Sequence, residues 1–214
     1  MTIAVITPWL DHLELVDDYL EAIVAGNPDQ LVVVDNGSTP PIDFAAVRIE
    51  RNNGFSKACN VGLRHATTDK VLFLNNDIAM VRPDWLTRIS EAIESGYLVG
   101  ANLRFDNHTR VTGVPQRLPY LDGWCLGGMR QELLGLKGFD EEYLEPAYYS
   151  DNDLCLRARA IGMRLREMRG GLAHKVAQTS GWSAGANPKT QAVVVANYQR
   201  YCDKARALLA PVAA

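Results

Sequence analysis

The sequence predicts an α/β fold with a mostly parallel central sheet flanked by helices. Short apolar runs, such as residues 31–34 and 71–74, show no alternation of polar and apolar positions, so they suit strands that are covered on both faces. Between these runs lie longer segments whose apolar residues are three and four positions apart, which is helical spacing. Strand and helix therefore alternate along the chain, as in parallel sheets with right-handed crossovers.

The first 99 residues supply this alternation most regularly. Strands are expected at residues 3–6, 31–34, 47–49 and 71–74. Helices are expected after a capping-box pattern at residues 11–14, after the turn at 52–56, and from Pro83-Asp84 to Gly96.

The second half is less regular until its last two helices. Residues 100–130 contain several turn signals, and we expect short strands there that extend the sheet. A helix is predicted over residues 150–162, with Ser150 and Asp153 as a capping box, and another over residues 189–209. A chain of 214 residues with 47% hydrophobic residues is predicted to form one domain, residues 1–214.

Charge, cysteine spacing and the length of the apolar runs indicate the kind of partner and compartment to expect. The formal net charge is -3, but residues 1–99 carry 7 Lys/Arg against 14 Asp/Glu, whereas residues 100–214 carry 15 against 11. The basic second half could face an anionic partner or be an ordinary solvated surface. No Cys-x-x-Cys pair, basic leader or apolar run of about 18 residues is present, so we expect reduced thiols, no membrane span and a cytoplasmic location.

Four polar clusters follow predicted strands and should meet at one edge of the sheet. They are Thr7-Pro8, Asp35, Asn53-Gly54 and Asn76-Asp77. Each alone could be an ordinary turn, but four together favour a nucleotide site.

The ordered motifs of the chain resemble those of family 2 glycosyltransferases, which have the Rossmann-like GT-A fold. They are Asp35-Asn36-Gly37-Ser38, residues 53–62, Asn75-Asn76-Asp77, Gly127-Gly128-Met129-Arg130, residues 138–141 and residues 151–157. The resemblance spans nearly the whole chain. It implies that residues 1–99 hold a nucleoside diphosphate sugar, with a UDP- or dTDP-sugar expected, and that residues 100–214 hold the acceptor.

The resemblance also implies which residues contact the donor. A carboxylate at a strand end, such as Asp35, can accept an N–H of the base, Gly54 allows close backbone approach, and the helix start at Ser56 presents N–H groups to negative charge. Lys57 could add a cation or be an exposed lysine. The expected donor contacts are Thr7, Pro8, Asp35, Asn36, Asn53, Gly54, Ser56, Lys57, Asn60, Asn75, Asn76 and Asp77.

A divalent cation, Mn²⁺ or Mg²⁺, is expected on the diphosphate, because negative charge develops there as the sugar bond breaks. The family pattern makes Asp77 its ligand, with two Asn residues in place of the more acidic positions before it. By the same resemblance His174 approaches the metal or diphosphate, although Lys175 stands where relatives often have a second histidine.

The resemblance places a general base at the start of the helix over residues 150–162. The family's Glu-Asp pair is Ser150-Asp151 here, so Asp151 is the candidate base for an inverting single displacement. We expect the helix N-terminus to favour its ionised form.

Acceptor contacts are the least specified part of the site. Trp124 and Trp182 have flat apolar faces that could stack on a sugar, although core packing is the commoner role of tryptophan. A cell-surface glycan or lipid-linked saccharide is expected from the resemblance, with a modified base in DNA as the alternative.

Two other readings of the same residues stay open. A sugar nucleotidylyltransferase would carry a Gly-rich basic loop after the first strand, where this chain has Thr7-Pro8-Trp9-Leu10. A non-catalytic nucleotide-sugar-binding module would not need Asp77, Asp151 and His174 together.

Overall fold

The computed structural model describes residues 1–107, 117–145, 147–175 and 188–209. The strands are β1 (Ile3–Trp9), β2 (Gln30–Asp35), β3 (Val47–Arg48), β4 (Lys70–Leu74), β5 (Ile78–Met80), β6 (Tyr97–Gly100), β7 (Leu103–Asn107), β8 (Arg117–Leu121), β9 (Cys125–Met129), β10 (Arg164–Glu167) and β11 (Leu172–His174). The helices are α1 (Val16–Gly26), α2 (Phe55–His65), α3 (Trp85–Ala92), α4 (Arg130–Gly135), α5 (Ser150–Ala160) and α6 (Pro188–Leu209). None of the helices within the described segments is both long and apolar enough to cross a bilayer.

Seven strands form the central sheet, in the order β10-β6-β9-β4-β1-β2-β3. The pairs β1–β2, β1–β4, β2–β3 and β6–β10 are parallel, whereas β9 runs antiparallel to both β4 and β6. Two antiparallel ladders, β5–β11 and β7–β8, lie outside this sheet. The predicted mostly parallel α/β fold is confirmed.

The sheet separates two hydrophobic cores. Leu72 and Leu74 of β4 face the core that contains residues of α1 and α3, whereas Val71 and Phe73 face the core that contains residues of α2, α4 and α5. Every residue of this run is buried. The continuous apolar run of β4 is thus explained by burial on both faces, because successive side chains of a strand point to opposite sides.

Strand β9 enters the middle of the sheet because glycine allows it. A Cβ on Gly127 would lie 2.4 Å from the carbonyl oxygen of Val71, on the neighbouring strand β4. The expectation that residues 100–130 add strands to the central sheet is met by β9 alone among the described residues, since β7 and β8 pair with each other.

Both capping-box predictions were wrong. Asp11 and His12 adopt positive φ angles, and a 3₁₀ turn at Leu13–Leu15 precedes α1. In α5 the N-cap position is taken by Tyr149, so Ser150 lies inside the helix, and Asp153 forms ion pairs with Arg157 and Lys204 instead. In α5, ion pairs with Arg157 and Lys204 therefore take the place of the local cap.

Candidate functional site

A cleft of about 870 Å³ opens where the carboxyl ends of β1, β2 and β4 face the β7–β8 ladder and the start of α5. Asp77, from the loop after β4, and Asp151, from the first turn of α5, both line it. The two carboxylates lie 74 positions apart in the chain and come from opposite halves, yet the fold brings them to one cleft.

Asp77 and His174 form one corner of this cleft. Asp77 is 1% exposed, and its Oδ1 lies 3.0 Å from Nε2 of His174. The β5–β11 ladder fixes this contact, because His174 pairs with Ile78 and the Lys175 N–H donates to the Asp77 carbonyl oxygen at 2.8 Å. The backbone therefore holds the two side chains together.

The chemistry of this corner fits a divalent cation. The second carboxylate oxygen of Asp77, Oδ2, is buried and has no hydrogen-bond partner among the described residues. A buried anionic oxygen left unpaired is costly, and a cation would satisfy it. The described residues hold no cluster of three or more metal-binding side chains, so Asp77 and His174 would leave the remaining positions to ligand oxygens and water.

Asp151 lies at the other side of the cleft, half-buried. Its Oδ2 accepts the Gly123 N–H at 2.9 Å, and its Oδ1 accepts the Asn152 N–H at 2.9 Å. Desolvation raises the pKa of Asp151 to about 6, the two backbone hydrogen bonds oppose that rise, and the nearby charge of Asp122 adds to it. Helix position was expected to favour the ionised form, but burial outweighs it. With a pKa of about 6 the group is still mainly ionised at neutral pH.

The edge of the cleft at which the sequence predicts donor contacts, called the donor edge below, is organised by asparagine side chains. Asn36 Nδ2 donates to Asn52 Oδ1 at 3.0 Å, and Asn36 Oδ1 accepts the Asn53 N–H at 3.1 Å. Gly54 follows with φ +94, and a Cβ there would lie 2.5 Å from Oε1 of Glu145. Five of the predicted donor contacts line the cleft, namely Pro8, Asn36, Asn75, Asn76 and Asp77.

Asp35, the predicted partner of the base, is used inside the protein. Its carboxylate accepts N–H groups of Ser38 and Ile42 and pairs with Arg48. Burial opposes ionisation, but these hydrogen bonds hold the pKa of Asp35 below its ordinary value. The side chain is fully buried, and contact of Asp35 with a base stays a prediction.

Other predicted donor residues also lie outside the cleft lining. The Tyr19 hydroxyl donates to Thr7 Oγ1 at 2.7 Å, and the Asn60 amide bonds the backbone of Phe139 on both sides. Ser56 is buried and Lys57 is exposed. Donor contacts by Thr7, Asn53, Gly54, Ser56, Lys57 and Asn60 stay predictions.

Trp124 lines the cleft but already has an aromatic partner. Its ring is stacked on His174, with centroids 4.9 Å apart and an angle of 4° between the planes. One face of the indole is therefore covered by protein. Trp182, the other predicted acceptor contact, lies outside the described residues.

Several cleft residues were missed by sequence reasoning. Asp122 accepts from Arg104 and Asn102, and Glu145 accepts the Phe55 N–H at the start of α2. Their partners are between 18 and 90 positions away, so no local pattern marks them. The turn signal of Asp122-Gly123 was the one available clue.

The described lining of the cleft is strongly acidic. Its carboxylates outnumber its one guanidinium, that of Arg104, and that guanidinium is paired with Asp122. The carboxylates belong to Asp11, Asp77, Asp106, Asp122, Glu145 and Asp151.

Comparison with known proteins places the chain in a family. A family model described as glycosyl transferase family 2 matches residues 5–145. The rhamnosyltransferase WbbL of Escherichia coli K12 is 25% identical, over 73% of this chain and 72% of that protein.

The fold is shared with many solved structures, of which two illustrate it. The mannosyltransferase PcManGT of Pyrobaculum calidifontis, in complex with GDP-Man and Mn²⁺, has a TM-score of 0.64 at 18% identity, covering 98% of this chain and 74% of that chain. Glucosyl-3-phosphoglycerate synthase of Mycobacterium tuberculosis, in complex with Mn²⁺, UDP-Glc and phosphoglyceric acid, has a TM-score of 0.59 at 20% identity, covering 94% of this chain and 80% of that chain. These likenesses identify the GT-A fold. Because the family model matches well over half of the sequence, the chain belongs to glycosyl transferase family 2 and is a glycosyltransferase.

Proposed function

We propose that the protein transfers a sugar from a nucleoside diphosphate sugar to an acceptor hydroxyl with inversion, using Asp77 and His174 on the donor side and Asp151 as general base. The observation that carries this proposal is that Asp77 and Asp151 line the same cleft. Support for the donor class comes from the similar structures, which are complexes with GDP-Man or UDP-Glc and Mn²⁺.

The donor, a UDP- or dTDP-sugar, would lie along the edge formed by Pro8, Asn36 and Asn76, with its diphosphate towards Asp77. Mn²⁺ or Mg²⁺ held by Asp77 and His174 would act as a Lewis acid for the departing diphosphate. Asp77 contributes the unpaired oxygen Oδ2, and His174 is held 3.0 Å from the other oxygen.

Asp151 would receive the proton of the attacking acceptor hydroxyl. The Gly123 and Asn152 N–H groups hold its carboxylate in one orientation. A pKa of about 6 leaves the group ionised at neutral pH and basic enough to take a proton late in the reaction. One direct attack on the anomeric carbon, without a covalent enzyme intermediate, inverts its configuration.

The acceptor that fits this cleft best is an uncharged saccharide, as in a cell-surface glycan or a lipid-linked sugar. The carboxylates of the described lining can accept hydrogen bonds from hydroxyl groups, and they repel a polyanion. DNA, the alternative acceptor, would need cations along its phosphates, whereas the described lining offers Arg104, already paired with Asp122.

The decisive experiment is Asp151→Asn. Removing the base should lower kcat by roughly 10² to 10⁴, because a positioned general base contributes about that much. Release of nucleoside diphosphate from UDP- and dTDP-sugars, in the presence of a panel of neutral saccharides, measures turnover. Donor affinity, measured separately by titration, should be unchanged.

Asp84→Asn is the matched control, because Asp84 is an exposed carboxylate paired with Arg82. It should leave turnover at the wild-type value. Near-normal turnover by Asp151→Asn would remove Asp151 from the proposed mechanism.

A further inference from the structure

The dipeptide Gly123-Trp124, between β8 and β9, touches both sides of the cleft. The Gly123 N–H donates to Asp151 Oδ2 at 2.9 Å. The Trp124 ring is stacked on the His174 imidazole, with centroids 4.9 Å apart. Adjacent residues thus contact the candidate base and the candidate metal ligand.

Trp124 is itself held firmly. Its carbonyl oxygen accepts the Asn75 N–H at 2.8 Å, directly beyond the β4–β9 ladder, where Leu74 pairs with Cys125. The side chain is 7% exposed. A buried ring on this fixed backbone covers one face of the imidazole, whose Nε2 lies 3.0 Å from Asp77 Oδ1.

Gly123 approaches Asp151 more closely than most residues could. A Cβ on Gly123 would lie 3.2 Å from Asp151 Cβ and 3.4 Å from its Oδ2. Either the carboxylate or the backbone would have to shift by a few tenths of an ångström. Glycine therefore allows the short hydrogen-bonded contact that orients Asp151.

We propose that Gly123-Trp124 is a positioning element: Trp124 orients His174 for the cation by stacking, and Gly123 orients Asp151 for the acceptor. This inference rests on the proposed function, since it explains how the candidate metal ligand His174 and the candidate base Asp151 are both oriented. Trp124 is then a positioning residue that acts through His174, in place of the sugar contact expected from the sequence. Groups that orient metal-binding histidines typically change metal affinity 10- to 100-fold when they are removed.

The test is a double-mutant cycle on Mn²⁺ affinity. Free Mn²⁺ is measured by electron paramagnetic resonance during titration of the protein in the presence of UDP, for wild type, Trp124→Leu, His174→Ala and the double variant. We expect Trp124→Leu to weaken Mn²⁺ binding about tenfold. In the His174→Ala background the same change should alter the Mn²⁺ affinity less than about twofold, because the imidazole that Trp124 orients is absent.

Trp124→Phe is the matched conservative variant, because it keeps a flat ring over His174. It should retain most of the wild-type Mn²⁺ affinity. Melting temperatures without metal show whether each variant is folded, and Trp124→Met, which lacks a ring, replaces Trp124→Leu in the cycle if the leucine variant does not fold.

Each outcome bears on a separate claim. Wild-type Mn²⁺ affinity in Trp124→Leu overturns the positioning role and leaves the proposed function intact. The same conclusion follows if the loss of binding free energy in the double variant equals the sum of the losses in the two single variants. Wild-type affinity in His174→Ala removes His174 as a ligand and the inference with it. Absence of any Mn²⁺ and UDP binding by the wild-type protein contradicts the proposed function itself.

Gly123→Ala tests the other arm. It should lower kcat about tenfold, because the added Cβ displaces the Asp151 carboxylate. The Mn²⁺ affinity should stay within about twofold of wild type, because Asp77 and His174 are not displaced. An unchanged kcat would overturn the role of Gly123.

Discussion

The proposed donor edge and the proposed acceptor side of the cleft are built in different ways. The donor edge consists of loops that directly follow parallel strands, such as Asn36 after β2 and Asn75 to Asp77 after β4. The acceptor side is assembled from the β7–β8 ladder and α5, joined by pairs such as Arg104 with Asp122 and Asn152 with Asp106. The geometry of the donor edge therefore depends on strand order. The geometry of the acceptor side depends on side-chain contacts between distant segments.

Asp77→Ala should have the largest effect on donor binding, and this effect should be confined to the donor edge. Loss of the carboxylate should weaken Mn²⁺-dependent binding of UDP-glucose by at least about 100-fold, since a direct ligand matters more than the groups that orient it. Calorimetric titration with and without Mn²⁺ measures this effect.

Asp122→Asn is the control from the acceptor side, and it should retain donor affinity. If a chelator leaves wild-type donor binding and turnover unchanged, the assignment of Asp77 to a cation is wrong.

Asp140→Asn should alter stability and leave donor binding alone. Asp140 accepts from Arg200 and Lys204 of α6, and despite partial burial these contacts lower the pKa of Asp140 to about 2. A carboxyl with a depressed pKa stabilises the fold above its unfolded value of about 4, and that contribution is lost as the pH falls towards 2. At pH 7 the variant should lose about 2 kcal/mol of unfolding free energy, measured by urea denaturation.

Asp203→Asn serves as the matched control for α6, because Asp203 is exposed and pairs within the same helix. Its unfolding free energy should change by less than about 0.5 kcal/mol. Equal effects of the two variants would show that the contacts of Asp140 do not hold α6.

The pH dependence of turnover should report on the acceptor side. Because the base must be ionised and the pKa of Asp151 is about 6, kcat should be level above about pH 7 and fall tenfold per pH unit below 6. Donor affinity measured at the same pH values separates this effect from loss of donor binding. A level kcat down to pH 5 would contradict Asp151 as base.

Lys57→Ala should have the smallest effect. The side chain is exposed and does not belong to the described cleft lining, so donor affinity should change less than about twofold. A loss of donor affinity of tenfold or more in the same titration would show that Lys57 contacts the donor and that the donor edge extends beyond this cleft.

The sequence predicted that polar residues after the parallel strands meet at one edge, because the signals for these strands are local. The apolar run ending in Leu74 is buried on both faces, and the polar residues after it line the cleft, as strand order requires. Asp151 was found through the family motif, but the rise in its pKa was not, because it depends on burial by residues distant in the chain.

The acceptor side could not be predicted in the same way. Asn152 of α5 donates to Asp106 of β7, and Asp153 of α5 pairs with Lys204 from α6. Each contact joins segments separated by about 50 residues, so no periodicity or turn pattern contains it.

The position of β9 has a consequence for protein engineering. This strand comes from the second half of the chain but lies between β4 and β6, both from the first half, and β10 then pairs with the far side of β6. Cutting the chain near residue 100 would leave β4 unpaired along one edge and β6 unpaired along both, and exposed strand edges promote aggregation. Exchange of the β7–β8 ladder between relatives, in contrast, would leave the seven-stranded sheet paired, because this ladder lies outside it.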